Sequence, residues 1–239
     1  MTIDLFIPCF IDQLFPETAW NVVKILKRSG VTINYNRNQT CCGQPAFNSG
    51  DTKNARKLAK KFINDFPEDI PIVVPSASCA GFIRNHYRTL FKDDNEYLQE
   101  SERLEKNIFE LTDFLVNHLK FTDFNAEFNH RITYHDACSA LREYGIRDEP
   151  RLLLSKVKRL QLAEMNDSDV CCGFGGTFMV KFVPISTAMV EQKVQNAMNT
   201  GAEYIVSTES SCLLNIDSYI RKQKLPIKVK HIADILANF

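Results

Sequence analysis

"TCCGQPAF" (40–47) sets two cysteines side by side and follows them with a glycine, and "VCCGFGGTF" (170–178) repeats the triplet. With eight Cys and nine Gly in 239 residues, chance supplies one CCG triplet on the order of 0.01 times, so two of them argue for an internal repeat. Cys9 stands 31 intervening residues before Cys41, and Cys138 stands 32 before Cys171. Downstream, Cys79 follows Cys42 by 37 positions and Cys212 follows Cys172 by 40. All eight cysteines are used, four per half. Other words repeat too: "VPSASCAGF" (74–82) with "VSTESSCLL" (206–214), and "FELTDFL" (109–115) with "KHIADIL" (230–236). The spacing predicts two cysteine-rich domains, 1–121 and 130–239, joined through "FTDFNAEFNH" (121–130), with "FKDDNEYLQESERLEKN" (91–107) as a charged insertion in the first.

Strand-like runs are "IDLFIP" (3–8), "VTINYN" (31–36), "IPIVVPS" (70–76), "RITYHD" (131–136), "VKRLQL" (157–162) and "EYIVST" (203–208). Helical periodicity lies between them, at 19–30, 51–66 and 183–201. Strands alternating with helices predict an α/β fold: two repeated βαβ-type domains with mainly parallel sheets, related by a pseudo-two-fold. Such sheets gather ligands beyond the carboxyl ends of their strands. Cys9, Cys79, Cys138 and Cys212 each follow a strand run, so the thiols of a half are expected at one end of its sheet.

Composition narrows the function. The net charge is zero, which removes the electrostatic case for nucleic acid or an anionic membrane surface. The start "MTIDLFIPCF" has no basic residue ahead of its apolar stretch and is not read as a secretion signal. The longest uncharged run, Ile70–Ile83, has 14 residues, too few to span a bilayer as a helix. A cytoplasmic protein is expected, where eight cysteines point to metal or redox chemistry rather than disulfides. Structural zinc favours paired C-x2-4-C knuckles, and none is present. An iron–sulfur cluster is larger than one ion and takes thiolates from several loops. A Cys41–Cys42 disulfide would be strained, and a catalytic His135–Cys138 pair would explain one thiol of eight. Iron–sulfur leads at this point, with zinc and plain apolar packing still open.

The words "CCGQPAFNSG", "ELTDFLVN" and "CCGFGGTFMVK" resemble those of the CCG cysteine-rich domain proteins, the group that contains the cysteine-rich component of heterodisulfide reductase. Within that group the chain looks most like the lactate utilisation protein A family, over essentially its whole length. The resemblance implies two related α/β domains and an iron–sulfur subunit of a complex that oxidises L-lactate to pyruvate. It implies one cluster per half, [4Fe-4S] in type, bound by Cys9, Cys41, Cys42 and Cys79 and by Cys138, Cys171, Cys172 and Cys212. Other iron–sulfur subunits would be partners and lactate would be reached through the complex, with no nucleic acid and no membrane span. Another 2-hydroxy acid such as glycolate, a disulfide substrate, or a zinc-stabilised scaffold are the alternatives. The heterodisulfide reductase motif ends C-x-x-C, whereas Phe82 and Asn215 stand at those positions here. Ser139 and Ser210 replace a His and a Cys that some relatives carry, and serine is a poor soft-metal ligand.

Four further features attach to this reading. His135 and Asp136 stand beside Cys138 and are expected to hydrogen-bond to a cluster, relay a proton, or satisfy the strand end. Arg142 and Arg151 are candidates for a carboxylate. "GFGGTF" (173–178) lacks a full G-x-G-x-x-G and reads as cluster-loop backbone. The basic run "RKQKLPIKVKH" (221–231) reads as an exposed helix end.

Overall fold

The computed structural model describes residues 1–239. Eight strands form: β1 (Thr2–Leu5), β2 (Thr32–Asn34), β3 (Ile72–Val74), β4 (Ile108–Glu110), β5 (Arg131–Tyr134), β6 (Gln161–Leu162), β7 (Tyr204–Ser207) and β8 (Lys228–His231). They make two four-stranded sheets, ordered β2-β1-β3-β4 and β6-β5-β7-β8. Every pairing is parallel; Leu5 stands opposite Val73, and Tyr134 opposite Val206. The expected α/β architecture with two repeated βαβ units is therefore present. In each sheet the strand order reverses between the two central strands, which opens a crevice beyond their carboxyl ends.

Alternation places Ile3, Leu5 and Val73 on one face of the first sheet and Phe6, Ile72 and Val74 on the other. Both faces are covered, as a parallel sheet requires. The two apolar cores that result each draw on both halves: Ile132, Tyr134 and Val206 join Ile3 and Leu5, while Ile205 and Val194 join Phe6 and Ile72. At about 1.5–3 kcal/mol per fully buried aliphatic or aromatic side chain, these shared cores fix the halves against each other. The contacts between halves come in matched pairs, as a two-fold axis demands. Helix Ala77–Leu90 packs on the turn Ser139–Tyr144, and helix Ser210–Gln223 on helix Cys9–Leu14. Likewise helix Pro16–Arg28 meets Ile232–Leu236, and helix Asp148–Ser155 meets Leu111–Asp113.

The helices obey local rules. Thr52–Asp65 is capped by Asp51, whose carboxylate accepts from Asn54 N at 3.1 Å, and it buries Ala55, Ala59, Phe62 and Ile63 at helical spacing. Pro16 opens its helix at the first position, where no N–H is needed. The insertion forms helix Asn95–Asn107, which buries Ser101 and Leu104 and packs Tyr97 and Leu98 against the core. Two readings change. The run 221–231 is not one helix end: the helix stops at Gln223, and Lys228–His231 continues as β8. Its alternate lysines suit an edge strand, whose outer side faces water. The expected strand 157–162 shrinks to Gln161–Leu162 and one isolated bridge at Lys158, because Arg159 adopts a positive φ between them. No helix is long and apolar enough to cross a membrane.

Candidate functional site

Both crevices open into one cavity of about 500 Å³ between the halves, and all eight cysteines line it. Cys9 opens the helix after β1, and Cys79 sits in the first turn of the helix after β3. Cys138 and Cys212 occupy the matching places after β5 and β7. The CCG loops close each set from the side. Cys42, Cys79, Cys172 and Cys212 are buried, the other four are half-buried, and no disulfide forms. The Cys42 and Cys79 sulfurs lie 3.4 Å apart. The halves also meet here: the rings of Phe10, in the helix that Cys9 opens, and Phe174, beyond the second triplet, are edge-to-face at 5.6 Å.

The glycine of each triplet is required by geometry. Gly43 and Gly173 have φ of 94° and 83°, a region that L side chains avoid. A Cβ on Gly173 would stand 2.7 Å from Ser186 O, and one on Gly43 3.2 Å from Ala55 O. The turn points each glycine N–H at the sulfur two residues back, 3.4 Å from Cys41 and 3.4 Å from Cys171. Tyr87 donates to the Cys42 carbonyl at 2.7 Å, and Asn215 to that of Cys172 at 2.9 Å. Asn215 thus ties down the loop from a position where the heterodisulfide reductase motif has cysteine, and Phe82 packs on Phe47 and Tyr87 at the other.

The thiols polarise one another. Hydrogen bonding from Cys42 and then Cys9, against burial, pulls Cys41 far below the ordinary thiol range. Cys138 and Cys172 do the same for Cys171. The donors Cys9 and Cys138 are pushed up in return. A thiolate is the form that binds metal. Four convergent thiols with an amide N–H on a sulfur and two helix N-termini nearby fit a metal or iron–sulfur centre in each half.

The remaining sequence candidates separate. Arg151 lies bidentate on Asp136, both bonds 2.8 Å, and also holds Glu164, so internal carboxylates occupy the fork considered for a substrate. Arg142 reaches only the Asp169 carbonyl, at 3.4 Å. His135 is fully buried, with Nδ1 3.3 Å from Ser168 O and Nε2 unpartnered. A ring nitrogen lies within 4.8 Å of the Cys172 and Cys212 sulfurs. Ser139 and Ser210 also line the cavity.

Sequence reasoning missed Glu209. It is 3% exposed and faces the same cavity. One oxygen accepts from Ser76 Oγ at 3.0 Å and Ser78 N at 2.9 Å; the other accepts from Ser211 Oγ at 2.9 Å. Ser76 caps the helix bearing Cys79, and Glu209 caps the helix bearing Cys212. Glu209 and Ser76 each stand three residues before their cysteine, so they are repeat-equivalent positions meeting on the two-fold axis. The only sequence signal was an acidic residue ahead of a helix, which reads as an ordinary cap.

Comparison with known proteins agrees with this geometry. The CCG cysteine-rich domain family matches residues 3–84 and again 132–217. Lactate utilization protein A of Bacillus pumilus (strain SAFR-032) is 42% identical over 236 residues, covering 99% of each chain. Lactate utilization protein A 2 of Bacillus cereus (strain AH820) is 39% identical over 237 residues, 99% of this chain and 98% of its own. Among solved structures, a hypothetical protein from Helicobacter pylori superposes with a TM-score of 0.61 at 13% identity, over 98% of this chain and 48% of that one, a likeness of fold alone. With a family match in each half, and end-to-end similarity to these relatives, the chain belongs to the lactate utilization protein A family of CCG cysteine-rich domain proteins.

Proposed function

We propose that the chain is an iron–sulfur subunit of an oxidoreductase complex that oxidises L-lactate to pyruvate. The observation that carries this is the convergence of eight thiols, four from each half, on one cavity, in a chain related end to end to lactate utilization proteins. Cys9, Cys41, Cys42 and Cys79 would hold one [4Fe-4S] cluster, and Cys138, Cys171, Cys172 and Cys212 the other. Each half would be a cysteine-rich domain of its own, 1–121 and 130–239. Bound clusters would accept and pass on single electrons, and two sites match the two electrons that lactate releases. Lactate oxidation also needs a base and a hydride or electron-pair acceptor, and the sequence carries no flavin or nicotinamide fingerprint. That chemistry is assigned to partner subunits in the cytoplasm, with further iron–sulfur centres.

The chain's own residues hold and shield the centres. Gly43 and Gly173 direct amide N–H groups at Cys41 and Cys171, which offsets negative charge on the sulfurs. Burial of Cys42, Cys79, Cys172 and Cys212 keeps water from the inner side of each site. Anaerobic purification tests the reading. A brown protein with iron, acid-labile sulfide and an EPR signal on reduction is expected; a colourless protein with zinc refutes it. The isolated, cluster-loaded chain should give no lactate-dependent dye reduction until its partners are added, and turnover by the chain alone would refute the division of labour.

A further inference from the structure

The two halves treat one stretch of the repeat differently. A Cβ on Gly43 would meet the carbonyl of Ala55, and one on Gly173 that of Ser186. The stretches that end at Ala55 and Ser186 are therefore equivalent places. In the first half the stretch is "NSGDTKN" (48–54), and in the second it is "MVKFVPI" (179–185). All of 48–54 and all of 180–185 are exposed. Val180 is 73% exposed and Phe182 51%, with Val183 and Ile185 between these values. The first half folds with polar residues at this place, so the fold does not require the apolar ones. Adjoining apolar side chains left in water mark an interaction surface.

This strip is continuous with the cysteine cavity. Met179 and Val180 line the cavity, and the exposure of Val180 sets it at the opening. The Phe178 and Phe182 ring centres lie 5.3 Å apart, where one short helix ends and the next begins. Ile185 then lines a groove of about 300 Å³ together with exposed Val170. A protein seated on the strip also covers the opening, beside the half-buried Cys138 and Cys171 of the second site.

Charge selects the occupant. The residues lining the cavity include exposed Glu143 and buried Glu209, and no Lys, Arg or His. Thiolate ligands add negative charge at each bound cluster. A lactate carboxylate finds no cation there. A second copy of the chain would bring to this opening either its own acidic cavity or its groove, which carries exposed Asp167 and a lysine, Lys193, that is buried. Lys181 is the only charged residue of the strip and does not offset these groups. Like charges across a contact are costly.

We infer that residues 179–185 dock a redox partner protein whose contacting face is apolar and turns basic side chains toward the cavity. The inference rests on the iron–sulfur reading and gives it a place of electron exchange. One electron crosses at a time between the partner's own iron–sulfur or flavin centre and a cluster of this chain, and no bond is made or broken.

Photo-cross-linking of the full chain in its native cell tests this, with p-benzoylphenylalanine in place of Phe182 or, as a control, of Ser49 in the equivalent stretch. From position 182 the expected product joins the chain to one protein that carries its own iron–sulfur or flavin centre, identified by mass spectrometry. Position 49 should not give that product. The affinity of that purified protein for the anaerobically isolated chain should fall at least tenfold in Phe182→Ser and in Val183→Ser. Phe182 is the N-cap of its helix, where serine is favoured, so iron and sulfide content should stay at the wild-type level. Added salt should weaken the complex, and Glu143→Gln should reduce that dependence. A second copy or a protein without a redox centre as the product, no product, the same product from position 49, or an affinity unmoved in both serine variants overturns the inference. Iron and sulfide in the same chain then leave the iron–sulfur reading standing. A wild-type chain without them overturns both.

Discussion

Replacing Glu209 with alanine should destabilise both halves at once. The side chain accepts from Ser76 Oγ at 3.0 Å, Ser78 N at 2.9 Å and Ser211 Oγ at 2.9 Å. Truncation uncaps the helix bearing Cys212 and takes the acceptor from Ser78 N in the first turn of the helix that Ser76 caps, each worth about 1 kcal/mol. It also leaves the buried Ser76 hydroxyl without its main acceptor, a further cost of about 1–3 kcal/mol. Water entering from the adjoining cavity can replace part of this, so the expected loss is about 2–4 kcal/mol. Glu209→Gln keeps the shape but sets an amide N–H2 against donors, and should cost roughly 1–2 kcal/mol. Denaturant unfolding of wild type and variants under the same reducing, anaerobic conditions gives the difference from the shift in midpoint. Because Cys79 and Cys212 ride on the two helices whose first turns bond to Glu209, iron retention should fall at both sites together. A midpoint within about 0.5 kcal/mol of wild type, the range of a plain surface substitution, would show that the carboxylate holds neither helix; iron lost from one half only would show that it does not join them.

Cys42→Ser should empty the first site and leave the second loaded, and Cys172→Ser the reverse; iron and sulfide content with the EPR signal of each variant decides, provided both remain soluble and folded. Gly173→Ala places a Cβ 2.7 Å from a backbone oxygen at positive φ and should cost about 1–3 kcal/mol, more than Gly43→Ala, where the contact is 3.2 Å; equal costs in denaturant unfolding would refute the geometric argument. Burial pushes the Glu110 carboxyl up to about 8 against hydrogen bonds from Thr112 and Asp113. A carboxyl raised in the fold contributes stability fully below its unfolded value, near 4.5, and loses it as pH rises through 8, by up to about 1.4 kcal/mol per pH unit. Glu110→Gln should flatten that decline, and an unchanged pH profile of the unfolding midpoint would refute it.

The repeat was legible because cysteine and glycine are rare enough for their spacing to carry information. So were β1, β3, β5 and β7, whose buried apolar runs end just before a cysteine. β4 was missed as a strand because Ile108–Glu110 is three residues wedged against a helix on either side, too short to show a period. β8 was hidden by its lysines, which an edge strand accepts and a composition reading assigns to solvent. At the site, the thiols and their glycines could be read directly, since each is set by local spacing. Glu209 could not, because its partner Ser76 is 133 residues away and only the packing of the halves brings them together. The fate of Arg151 was hidden for a similar reason: Asp136 and Glu164 are ordinary acidic residues until the segments after β5 and β6 bring them onto one guanidinium.

The meeting of Glu209 with Ser76 bears on why the two halves share one chain. In a symmetric dimer of identical copies, the residue on the axis faces itself. Two glutamates there would set like charges together in a buried place, and two serines would leave both helix starts without a carboxylate. Two non-identical halves, here joined in one chain, can put an acceptor on one side of the axis and donors on the other, which identical copies cannot. Joining the halves therefore does more than keep them together: it permits a pairing that duplication alone forbids. Once one axial position has become acidic, its counterpart is held to a small donor, and neither half can revert to a self-matching dimer without losing the join.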